Sequence, residues 1–122
     1  MENLLKFYIN GEWVAPLSDA TMPVLNPATE KQIGTVALGN EADVDRAVAA
    51  ATTAFEEFSQ TSKDGRLALL RKVRAITEAR IEELAQAMRM EMGAPITMSR
   101  DVQADAAVGH LDGFIAALEE LE

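Results

Sequence analysis

The 122-residue chain contains no cysteine, which excludes disulfides, thiolate metal sites and a cysteine nucleophile. Cytoplasm is then the simplest expected compartment. Positive charge is also scarce: 11 Lys and Arg stand against 20 Asp and Glu, a formal charge of −9. Attraction to nucleic acid or to an anionic membrane surface requires clustered Lys and Arg, so neither is an expected partner. Long hydrophobic runs are missing as well. The opening MENLLKFYINGEW has Leu4-Leu5 as its only apolar pair before Lys6, too little for a signal peptide. No later stretch approaches the roughly 20 apolar residues of a membrane span. The single histidine, His110, is the one imidazole available as a base or metal ligand, and neither Asp105 nor Asp112 sits at the four-residue helical offset that would face it. A surface or packing histidine is the expectation.

What the chain has in quantity is alanine, 21 residues of it, which favours helix while contributing little buried area per residue. Its length suits one domain with a modest core. Residues 7–14, FYINGEWV, place Asn10-Gly11 between two β-rich runs, a hairpin signal because a type I′ turn needs two positive φ angles. Residues 21–25 and 32–38 form a second extended pair, joined by Asn26-Pro27-Ala28-Thr29-Glu30-Lys31, where the proline holds Asn26 extended. A β-meander over 7–38 is expected from these four strands.

From Asn40 the period changes. Val44, Ala47, Val48, Ala51, Phe55 and Phe58 recur at helical steps, with Asn40 as N-cap, Asp43 in the first turn and a stop near Ser59. Asp64 is the next expected cap, ahead of Leu69, Val73 and Ile76; the step to Ile81, Leu84 and Met88 predicts a bend or restart near Thr77. Gly93 and Pro95 close that region. A last helix carries Val102, Ala106, Leu111, Ile115 and Leu118, and its acidic end, Glu119-Glu120-Leu121-Glu122, looks cut rather than finished. The expected layout is mainly helical: the meander, then three or four helices over 40–122.

The succession FYINGEWV, LNPATEKQIGTVALG, NEADVDRAVAAATTAF, GRLALLRKVRAI, EELAQAM and EMGAP resembles the amino-terminal region of the aldehyde dehydrogenase superfamily over nearly the whole chain. The resemblance implies an α/β parent about four times as long, with a Rossmann-like domain for NAD or NADP, and makes residues 1–122 the first part of that domain. It further implies oxidation of an aldehyde to an acid, with the remainder of the chain and further copies in a homo-oligomer as partners. The family's cysteine nucleophile, glutamate base and oxyanion asparagine have no counterparts here, and no Gly-x-Gly-x-x-Gly turn occurs. No catalytic or cofactor-binding residue is therefore expected in this segment, which alone should hold no cofactor and have no activity. Glu91-Met92-Gly93-Ala94-Pro95 departs from the commoner family form, which has lysine after the glycine.

By the same resemblance a monovalent cation would be held by the backbone carbonyls of Val24 and Leu25 and by the carboxylate of Glu91. Hard cations favour such oxygen sets. Glu91 has a local reading too, as a cap or ion-pair partner. Gly109 and Gly113, one turn apart, would permit close approach of another helix, with ordinary packing as the default. The pairs Glu56-Glu57, Glu82-Glu83 and Glu119-Glu120 point in different directions on a helix and read as solvated faces. The six methionines, among them Met88, Met90 and Met92, read as gap fillers before they read as a binding surface. The alternative to a dehydrogenase segment is a non-catalytic, self-associating helical module.

Overall fold

The computed structural model describes residues 4–121, and the chain divides into two compact units, Met1–Gln60 and Thr61–Glu122. In the first unit, strands β1 (Phe7–Ile9) and β2 (Glu12–Val14) pair antiparallel, and so do β3 (Thr21–Leu25) and β4 (Gln32–Ala37). The expected meander is thereby corrected: the described strands form two separate two-stranded sheets. Residues 15–20 intervene, where the Leu17 amide and the Ala15 carbonyl bond to the side chains of Asp43 and Arg46.

Both hairpin turns follow local chemistry. Asn10 and Gly11 have φ of 54° and 81°, the two left-handed residues of a primed turn. Across it Tyr8 faces Trp13 with ring centroids 5.3 Å apart. In the second turn the Asn26 side chain accepts from the amides of Ala28 (2.9 Å) and Thr29 (3.2 Å), and the Glu30 amide bonds the Asn26 carbonyl at 2.7 Å. Pro23 sits within β3, where a two-stranded sheet leaves an edge that needs no donor.

Helix α1 (Glu41–Phe58) begins at a capping box: Asn40 Oδ1 accepts the Asp43 amide at 3.1 Å, and Asp43 Oδ2 accepts the Asn40 amide at 3.2 Å. Its apolar face differs from expectation. Val44, Val48 and Phe55 are 59%, 57% and 64% exposed, while the side turned toward the hairpin is formed by Asp43, Arg46, Ala47 and Ala50.

The second unit is wholly helical. Helix α2 (Lys63–Ala79) is capped by Ser62, whose Oγ accepts the Gly65 amide at 3.1 Å; Asp64, the expected cap, lies inside the first turn. The predicted restart falls at Arg80, where the backbone leaves the helical region before α3 (Ile81–Met92). Gly93 ends α3 at φ 72°, a left-handed cap. After Pro95 come one turn, α4 (Ile96–Met98), a π-helical segment (Ser99–Ala104) and α5 (Asp105–Glu120). The wider π turn advances the helix by an extra residue and shifts its phase. Leu111, Ile115 and Leu118 lie on the half-buried face as expected, whereas Val102 and Ala106 are exposed and Ala104 and Val108 complete that face in their place. The buried apolar residues of the described chain, Leu67, Ala85, Ala104 and Val108, all belong to this unit.

Helix α5 packs on α2, and the contact is laced with charge. Arg74 holds Asp112 with two nitrogens, at 2.7 and 3.3 Å, and Glu78 at 2.6 Å; Arg71 pairs with Glu119. Lys63 Nζ donates to the carbonyls of Glu119 (2.8 Å) and Leu121 (2.5 Å). The end of α5 is closed by a cation from α2, where the helix dipole favours one.

Candidate functional site

Val24 and Leu25 close β3 in the first unit, and Glu91 occupies the last turn of α3 in the second. Between Val24 and Leu25 the register slips: Val24 pairs with Gly34 and Leu25 with Gln32, leaving Ile33 bulged. Such irregularities free backbone groups from the ladder. Glu91 is exposed. No group of three or more His, Asp or Glu side chains that could hold a metal ion occurs among the described residues.

The most connected carboxylate is Asp43, 4% exposed, which sequence reasoning saw only as an acid in a first turn. Beyond capping α1 it accepts the Leu17 amide at 3.0 and 3.2 Å and Arg46 Nη2 at 3.1 Å, and the same nitrogen reaches the Ala15 carbonyl at 3.0 Å. These bonds dock the 15–17 segment on the start of α1. Gly39 enters the same corner: a Cβ there would lie 3.3 Å from the Phe7 ring and 3.4 Å from the Asp43 Cβ.

Two shallow hollows flank the first hairpin. One, about 320 Å³, has a floor of Ala47, Ala50, Ala51 and Ala54 and a wall of Tyr8 and Ile9. The other, about 520 Å³, lies between Phe7, Trp13 and Val44, and its only carboxylate, Asp43, is already engaged by three partners. Neither brings a nucleophile to a base.

In the second unit, exposed ion pairs set the electrostatics. Arg100 bonds Glu82 at 2.7 Å and Gln86 bonds its other oxygen at 2.8 Å, which together hold the Glu82 carboxyl down at about 2. Arg74 lowers Asp112, and Arg80 lowers Glu83. These are satisfied structural pairs, not acids or bases poised near neutrality. His110 is exposed, and a Cβ on Gly109 or Gly113 would meet nothing within 4 Å.

A dinucleotide needs a helix N-terminus open to phosphate. Here the first turns carry Glu41 and Asp43 on α1, Asp64 on α2, Glu82 and Glu83 on α3 and Asp105 on α5. Acidic side chains in these first turns oppose a pyrophosphate at the helix ends, so the residues present do not fit NAD or NADP.

A family model described as "Aldehyde dehydrogenase family" matches residues 13–122. The chain belongs to the aldehyde dehydrogenase family. A Staphylococcus aureus protein provisionally named an aldehyde dehydrogenase is 46% identical over the whole chain, which covers 25% of that relative. A Pseudomonas 3-succinoylsemialdehyde-pyridine dehydrogenase is 46% identical over 90% of this chain and 23% of its own length. Among solved structures, aldehyde dehydrogenase C (AldC) of Pseudomonas syringae, a cysteine-to-alanine variant complexed with NAD+ and octanal, superposes at a TM-score of 0.96 with 43% identity. That match spans 98% of this chain and 25% of the enzyme. The chain thus spans about a quarter of the length of the relatives it matches. No helix among the described residues is long and apolar enough to cross a membrane.

Proposed function

We propose that this chain is the amino-terminal portion of an oxidoreductase that oxidises an aldehyde to a carboxylic acid with NAD or NADP, and that it has no catalytic activity alone. The observation that carries the reading is the match over residues 13–122 to the family model, joined to a span of only a quarter of the relatives. Its role is to build the edge of a Rossmann-like cofactor domain of a cytoplasmic homo-oligomer, with the nucleophile, the base and the dinucleotide loop supplied by the remainder of the enzyme. Val24, Leu25 and Glu91 belong to this proposal as ligands of a monovalent cation, two carbonyls and a carboxylate being oxygen donors suited to a hard ion.

Octanal and NAD+ mixed with the purified 122-residue chain should yield no NADH at 340 nm, while the same chain grafted in place of the matching quarter of AldC with its cysteine restored should. NADH formation by the isolated chain would overturn the claim of inactivity.

The second reading, a self-associating helical module, is favoured by the exposed apolar side chains of α1 and of α2, where Leu69, Val73 and Ile76 are 47%, 41% and 49% exposed. A monodisperse monomer in sedimentation velocity would dismiss it.

A further inference from the structure

Two helix ends in the second unit run against the local rules. Lys63 is the first residue of α2, where the dipole and the unpaired amides favour an acid, and Glu119 and Glu120 close α5, where the carbonyls favour a cation. The last turn of α5 has no basic residue of its own. Each misfit answers the other. Lys63 Nζ donates to the carbonyls of Glu119 at 2.8 Å and Leu121 at 2.5 Å, and Arg71 pairs with the Glu119 carboxylate. Lys63 and Arg71 lie within an arc of about 80° on α2, so one side of that helix grips Glu119 twice, at its backbone oxygen and at its side chain.

This grip has no apolar help. Val108 is buried and Leu111, Ile115 and Leu118 are half-buried, but Glu119, Glu120 and Leu121 are all exposed. At Leu121 the backbone turns extended, with φ −68° and ψ 123°, so α5 stops where the cations hold it. A single pair between exposed side chains contributes little; two that converge on one residue act as a unit, because a turn that leaves one partner leaves both.

We propose that Lys63 and Arg71 form an ionic latch on the last turn of α5, with the charge of Lys63 as its control point. While that charge is present and unscreened, the helix is folded down to Glu120; its removal or screening frees the last turn and leaves the middle of α5 packed. The latch lies wholly within the second unit and does not depend on the dehydrogenase reading.

Hydrogen exchange of the 122-residue chain, followed amide by amide in NMR spectra, tests this. At low salt Lys63→Gln should speed exchange at Leu118, Glu119 and Glu120 about fivefold, while Val108 and Leu111 stay within about twofold. Lys63→Arg, which keeps the charge, and Lys72→Gln, which removes an equal charge from the same helix, should both stay within about twofold at all five amides. In roughly 1 M salt, where the screening length falls to about 3 Å, the unsubstituted chain should exchange at the Lys63→Gln rate. Adding Arg71→Gln to Lys63→Gln should change the last turn by less than about twofold, since the latch is already open. Last-turn rates unmoved by Lys63→Gln overturn the latch, as does a difference that persists undiminished in high salt. Equal acceleration at Val108 and Leu111 would make Lys63 part of general packing, and effects of Lys63→Gln and Arg71→Gln that simply multiply would make them two separate contacts; either result also overturns the proposal.

Discussion

At the scale of single residues, Asp43 does more than its position in the sequence announces. Its carboxylate serves Asn40, Leu17 and Arg46 together, and at 4% exposure water is a poor substitute for any of them. Asp43→Ala should therefore cost roughly 2–3 kcal/mol in urea unfolding, the range for lost charged hydrogen bonds with donors left behind. A cost near 0.5 kcal/mol would make Asp43 a simple surface cap. Glu82 poses a different test. Its folded pKa, about 2, lies below the ordinary value of a free glutamate near 4.3, so its pairing with Arg100 favours the folded state above that ordinary value. The contribution is lost as pH falls from about 4 through 2 and is small, because both side chains are solvent-exposed and screened. Carboxyl chemical shifts of Glu82 should titrate with a midpoint near 2; a midpoint near 4 would show that the pair does not persist in solution. The Asn40 cap was legible because capping is local, whereas the Leu17 partner was not: a contact across 26 residues is encoded in no motif.

At the scale of elements, the hairpin turn at Asn10-Gly11, the Asn26 turn and the Gly93 cap follow from local rules, and all three formed where those rules put them. The last helix did so in part: Leu111, Ile115 and Leu118 lie on its half-buried face, while Ala106, five residues before Leu111, is out of step with a 3.6-residue period and Ala104 and Val108 are buried in place of Val102 and Ala106. Val108→Ala should then destabilise by about 1–2 kcal/mol, as a buried valine losing two methyls, and Val102→Ala should fall within about 0.5 kcal/mol. Equal effects in thermal melts would mean that Val102 is packed as closely as Val108. The Ser62 cap was missed for a related reason. Both Ser62 and Asp64 are good capping residues, and only the backbone geometry, extended at Ser62, decides which one ends the chain's approach to α2.

For the whole molecule, burial is uneven. Leu67, Ala85, Ala104 and Val108 are buried in the second unit, while the described residues of the first have Asp43 as their only buried side chain. In hydrogen exchange, amides in the middle of α2 and α5 should outlast those in the second half of α1, where apolar contacts are few; the reverse order would mean that α1 finds a partner in solution. The sequence by itself determined the family, the helical predominance, the two hairpin turns and the want of a catalytic cysteine, because each rests on residue identity or on spacing within a few residues. Only the tertiary structure decided that the strands form two pairs and not a meander, that Lys63 closes α5, that Ala104 and Val108 complete its buried face, and that the apolar ridges of α1 and α2 face outward. Those outcomes depend on which distant groups meet, and an apolar stripe along a helix is the same string of letters whether its neighbour is within the chain or beyond it.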